Sequence, residues 1–206
     1  TNAASIGPSS TASGSNSAAL GMQAQAKGAG SLAAGAAAQA TKDGSTAVGT
    51  WTEATAEKTT ALGDSAHATT NRATALGHDS QATGEFSTAA GVSSRASGSA
   101  SVATGKNATA SGANTIAIGN AANAAGTDSI ATGRQAATTG SNAIATGADS
   151  SAANNASAYG NKAKATGGWS SAFGNESKAA AADASAFGNT ATAAAQDSTA
   201  IGAHSS

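Results

Sequence analysis

The feature that most constrains this chain is a glycine that returns every seven residues. It falls at 7, 14, 21, 28 and 35, then at 49, 63 and 77, and then at every seventh position from Gly77 to Gly147. One residue is lost around Ala153–Asn155, after which the frame resumes at Gly160, Gly167, Gly174, Gly188 and Gly202. Residues 1–202 are therefore 29 consecutive units, 28 of seven residues and one of six. Twenty-three units end in Gly, and Lys42, Ala56, Thr70, Asn154, Ala181 and Ala195 close the other six.

Number each unit one to seven with the Gly last, so that one unit reads Ala113-Asn114-Thr115-Ile116-Ala117-Ile118-Gly119. Position five is Ala in every unit except for Ser5 and Thr138, and position three is always Ala, Ser or Thr. Two residues two apart share one face of a β-strand, whereas a helix would splay them. A heptad coiled coil is excluded by the glycines, each of which would cost a helix about 1 kcal/mol. The same frame runs through the Ala-rich stretches Lys178–Ala182 and Thr192–Ala195, which are expected in strands and turns despite their helix propensity.

Positions four and six form the other strand face, and there the period doubles to fourteen. Position six of the odd units carries Ile6, Leu20, Val48, Leu62, Leu76, Ile118, Tyr159, Phe173, Phe187 and Ile201. Where it is small or polar, position four is usually bulky instead: Leu32 with Ala34, Val102 with Thr104, Ile130 with Thr132, Ile144 with Thr146. Ile116 accompanies Ile118. Such exchange holds side-chain volume roughly constant, as a packed surface requires. The even units place Gln25, Gln39, Glu53, His67, Gln81, Arg95, Asn123, Lys164 and Lys178 at position four. That face belongs to water.

Composition excludes several alternatives. The 206 residues contain 26 Gly, one Pro, no Cys and only 3% aromatics, too lean for a conventional core. Ten basic and eleven acidic residues nearly cancel, so the chain is no basic nucleic-acid binder, and no nucleic-acid partner is expected. No apolar run approaches the roughly 18–20 residues of a membrane-spanning helix, so direct membrane insertion is not expected either.

Two short strands joined by turns make one coil of a β-solenoid, and stacked coils pair each strand with its equivalent fourteen residues on. An all-β solenoid with an Ala, Ser and Thr lumen too narrow for a ligand follows. Some fourteen and a half coils at a strand spacing of about 4.8 Å would make a rod of roughly 70 Å. One outer face would be polar and the other apolar over nearly that length. An exposed stripe of that size calls for a cover, which cyclic self-association in a parallel homo-oligomer supplies.

Units such as Asn114-Thr115-Ile116-Ala117-Ile118-Gly119, Asp197-Ser198-Thr199-Ala200-Ile201-Gly202 and Gly44-Ser45-Thr46-Ala47-Val48-Gly49 alternate with units such as Ser80-Gln81-Ala82-Thr83-Gly84. This resembles the fourteen-residue head repeats of the trimeric autotransporter adhesins, the family typified by the Yersinia adhesin head, over residues 1–202. The resemblance implies a left-handed parallel β-roll, a parallel homotrimer and display on the bacterial surface beyond the outer membrane. It also implies a virulence role, through binding of extracellular matrix proteins, cells or abiotic surfaces. It makes residues 1–206 a single head segment, without the neck, stalk and membrane anchor of the family, and it implies neither an enzyme nor a cofactor.

Site candidates follow from the faces. The trimer interface is expected at Ile6, Leu20, Leu32, Val48, Leu62, Leu76, Val102, Ile116, Ile118, Ile130, Ile144, Tyr159, Phe173, Phe187 and Ile201. Trp51, Phe86 and Trp169 fall at position two, in turns on the outside of the coil. Each either packs against a neighbouring coil or subunit or contacts a ligand, since exposed aromatics are favoured contact residues. His67, His78 and His204 are scattered without ligand or nucleophile spacing, so no catalytic or metal site is expected. Asp64, Asp79, Asp128, Asp149 and Asp197 occupy the first two positions, where Asp suits a turn. Two other functions fit a solenoid. Thr41, Thr55, Thr69 and Thr83 stand in register as in an ice-binding face, although Lys27 and charged neighbours break the array, and a passive structural spacer needs no ligand at all.

Overall fold

The computed structural model describes residues 2–206, and they form an all-β parallel β-solenoid of about fourteen-residue coils with no helix. The chain divides into two compact units, Thr1–Ala103 and Thr104–Ser206. In the first, the three-residue odd strands from Ala4–Ile6 to Thr88–Ala90 build one parallel sheet, and the two-residue even strands from Thr11–Ala12 to Arg95–Ala96 build the other. In the second, odd strands run from Ile116–Ile118 to Thr199–Ile201 and even strands from Thr109–Ala110 to Thr192–Ala193. Register follows the repeat: Leu62 pairs with Leu76, and Gln81 with Arg95. The Ala-rich Lys178–Ala179 and Thr192–Ala193 are strands, as the frame required.

Within each unit the two sheets meet through Ala. Ala117, Ala122 and Ala124, like most of their counterparts, have no solvent exposure, and they sit at positions five, three and five. The lumen admits the position-three hydroxyls because all but one find a partner beside them, the fully buried Ser87 Oγ being the exception among the described residues. Ser17 Oγ donates to the Gly14 carbonyl at 2.7 Å and Thr115 Oγ1 to the Gly112 carbonyl at 2.7 Å. Buried hydroxyls need such partners. The two exceptions at position five pair as well. Thr138, fully buried, donates to Ser129 Oγ at 2.8 Å, and Ser5 Oγ lies 2.7 Å from Ser10 Oγ.

Turns explain the glycines. Position three donates its N–H to the carbonyl of the preceding position seven, as in Ser80 to Gly77 at 3.2 Å, which closes a four-residue turn. The second central residue, position two, is left-handed, with φ of 57° at Trp51, 57° at Asn107 and 56° at Asp128. A type II turn asks for positive φ there, and Asn, Asp and Gly tolerate it best. Position seven differs between the two series. In the odd units it takes φ near +130°, as in Gly119 (130°) and Gly77 (125°), which only Gly adopts readily. In the even units Gly84, Gly112 and Gly126 lie outside that region. All units that lack Gly are accordingly even ones.

One expectation is corrected. Asn154 does not close its unit. Its Oδ1 accepts the Ser141 N–H at 3.0 Å, the bond that Asp43 Oδ1 makes with the Ala29 N–H at 2.8 Å, so Asn154 takes the first position of the next turn, and Asn155 (φ 54°) takes the second. The residue lost is the even-unit bend, a turn position with no positive φ to keep. Pairing absorbs the loss, since Ile144 pairs with Ser157 and Ser151 with Lys164, thirteen residues on.

Candidate functional site

The outer face of the odd strands is apolar and open in each unit. Parallel in-register pairing stacks like on like, so Val48, Leu62 and Leu76 form a row in the first unit. All three are exposed, with Ile6 and Leu20 at the same position; Leu32, in position four beside the small Ala34, and Val102 are half-buried. In the second unit Ile118 is exposed, and Ile116, Ile130 and Ile144 are half-buried at position four. Tyr159, Phe173, Phe187 and Ile201 continue at position six, the last two exposed. The Tyr159 and Phe173 rings lie 4.9 Å apart and 13° from parallel, and the Phe173 and Phe187 rings 5.2 Å apart and 8°. Strand spacing imposes this near face-to-face stack, which isolated rings do not prefer.

The turn aromatics separate into two kinds. Phe86 has a partner on the neighbouring coil, for the Arg72 guanidinium sits 5.1 Å from its ring centroid, a cation–π distance. Trp51 and Trp169 stay 63% and 64% exposed, so neighbouring coils do not cover them. Both hold φ values (57° and 55°) that are costly for a bulky residue. Their N–H groups hold the turns, Trp51 donating to Ala36 at 2.9 Å and Trp169 to Asn154 at 3.1 Å. Sequence reasoning missed Met22 and Val92, which are also exposed and which occupy the turns between odd and even strands, as Trp51 does. Their apolar character at position one, otherwise a polar or small site, was the available signal.

The even face is polar and sparsely charged. His67 Nε2 lies 3.7 Å from Glu53 Oε2, and His78 Nδ1 3.2 Å from Asp79 Oδ2 in a turn. In the turns beside it, Arg134 bonds Asp149 at 2.6 Å, and Lys162 bonds Glu176 at 3.1 Å. A shallow groove of about 490 Å³ opens among Asp149, Lys162, Lys164, Glu176, Ser177 and Lys178. Among the described residues no three His, Asp or Glu side chains come together to hold a metal ion. The turn aspartates Asp79, Asp128, Asp149 and Asp197 take the left-handed position.

Comparison with protein families gives a match along most of the chain. The model described as the YadA head domain repeat fits residues 1–24, 26–50, 54–80, 82–108, 110–136, 124–150 and 179–205. The unmatched stretch 151–178 contains the skipped bend, Trp169 and the groove lysines Lys164 and Lys178. No curated protein matches the chain.

Proposed function

The chain belongs to the YadA head domain repeat family, and on that premise we propose that it is a head segment of a bacterial surface fibre, a parallel homotrimer of left-handed β-rolls that adheres to matrix proteins, cells or abiotic surfaces. The family is one of adhesins rather than enzymes, and an adhesin-type surface segment is what membership carries. The trimer, the outer-membrane setting, a part in virulence and the targets go further. The observation that supports the trimer most is the exposure of Ile6, Leu20, Val48, Leu62 and Leu76 on the odd-strand face of the first unit, and of Ile118, Phe187 and Ile201 on that of the second. Apolar surface repeated along a sheet face in this way marks an interaction site. A cyclic trimer covers it with the same face of two further copies.

Adhesion in this reading is distributed. One side-chain pattern recurs coil after coil and three times around the axis, so the contacts are many, weak and equivalent, and they add through effective concentration. A binding panel of matrix proteins and bare surfaces, run on the purified assembly at matched surface density, tests it. Binding to none of them leaves a passive spacer, and thermal hysteresis in ice growth would move the assignment to the Thr41, Thr55, Thr69 and Thr83 rank.

A further inference from the structure

We propose that the even sheet of the second unit carries a binding site for an acidic polysaccharide, built on Lys164 and Lys178. The two occupy position four of successive even units and pair in register. At a strand spacing of about 4.8 Å their side chains leave the same face of the sheet next to one another. Both side chains are exposed, and among the described residues neither has an ion-pair partner. The neighbouring carboxylates are engaged elsewhere, Glu176 with Lys162 and Asp149 with Arg134. At positions four and six of the even strands from Thr109–Ala110 to Thr192–Ala193 the other residues are Thr, Ser, Asn and Ala, so these lysines are the only charges on that outer face.

Like charges directly paired across strands are destabilising. Any of the Thr, Ser or Asn residues used at equivalent places would remove that cost. The pair therefore makes sense as a place for something negative, and the groove that Lys162, Lys164, Ser177 and Lys178 line together with Asp149 and Glu176, both carboxylates already ion-paired, gives that partner a seat. The ligand chemistry follows from the spacing and the lining. Acidic polysaccharides carry carboxylate or sulfate groups along a repeating chain of sugars, at a spacing of the same order as that between strands, and they present hydroxyls to polar side chains. Nucleic acid fits less well. Duplex binding draws on many phosphate contacts and single strands on aromatic platforms, whereas two free cations and no aromatic line this groove.

The site rests on the surface reading only for its setting. It lies on the sheet opposite the apolar face and needs no second copy. A chain that sediments as a monomer and still binds would contradict the trimer and leave the site standing.

The test is titration of the purified chain with a heparin-derived oligosaccharide at low salt, with melting temperatures measured in parallel. Lys164→Gln/Lys178→Gln is expected to weaken binding about tenfold or more, the loss of charge-assisted contacts. Its melting temperature should hold or rise, because repulsion between the pair is removed; a pair with a structural role would lower it. Lys164→Arg/Lys178→Arg should keep binding, and Lys106→Gln, a lysine in a turn of the same unit, should leave it unchanged. Absence of binding by the parent chain would overturn the proposal, as would undiminished binding by the double Gln variant. Equal affinity for a thymidine oligonucleotide of matched charge would assign the site to nucleic acid and overturn it too.

Discussion

At position seven the difference between odd and even units reduces to backbone geometry. A Cβ added at Gly119 would stand 2.5 Å from the Gly133 carbonyl oxygen, on a residue already at φ 130°. Gly126 lacks the positive φ, and although a Cβ there would stand closer still, 2.0 Å from the Gly140 carbonyl oxygen, the chain itself accommodates Lys42, Ala56 and Thr70 at equivalent places, where Thr70 Oγ1 even donates to the Gly84 carbonyl at 2.7 Å. Gly119→Ala should therefore cost about 2 kcal/mol or more, and clearly more than Gly126→Ala, in denaturant unfolding. Position two gives the opposite sign. Trp169→Gly relieves a bulky side chain of a left-handed backbone and should stabilise the fold by about 0.5–1 kcal/mol, while adhesion falls only modestly. Abolition of adhesion by that one change, with the fold intact, would replace distributed contacts by a discrete site. Glycine spacing made the turns legible, but the distinction between odd and even glycines was not, because φ leaves no mark in a sequence beyond the tolerance of a few positions. Asn154 was misplaced for the same reason: a deletion can be counted from the frame, yet the residue removed is identified by the hydrogen bond that Ser141 makes.

A strand here is two or three residues long, and it is stable only through its neighbours fourteen residues away. The face assignment was readable because Ala at positions three and five admits one geometry, a closed lumen, and that is where the structure buries them. Thr138 stood out in the sequence, but its bond to Ser129 did not, since the partner lies in the preceding odd unit, across the lumen. Close contact between the sheets leaves no slack for larger side chains. Ala117→Leu should destabilise by about 1–3 kcal/mol through overpacking, read as a lower melting temperature, whereas Asn123→Ser on the wet side of the next strand should stay within about 0.5 kcal/mol. Equal effects would mean that the lumen is not packed as described.

For the molecule as a whole, the repeat makes length a variable that can be edited. Removing residues 57–84, two coils in frame, joins Ala56 to Glu85 with odd and even positions preserved, so the remaining coils should melt cooperatively and stay β-structured by circular dichroism. Adhesion should fall more steeply than for any single turn substitution, because linked contacts multiply. Subunit number was not legible from periodicity: an apolar face says that a cover is needed and not how many copies supply it. Sedimentation equilibrium of the purified chain addresses that central claim most directly, with Ile118→Asp and Asn123→Asp, on adjacent strands of opposite sheets, run beside it. The parent chain and Asn123→Asp should both sediment as a species near three times the 19.0 kDa chain mass, and Ile118→Asp should shift toward the single-chain mass, because it sets a charge in the apolar face. A parent chain that sediments at the single-chain mass at all concentrations, or equal behaviour of the two variants, would contradict assembly through the odd-strand face.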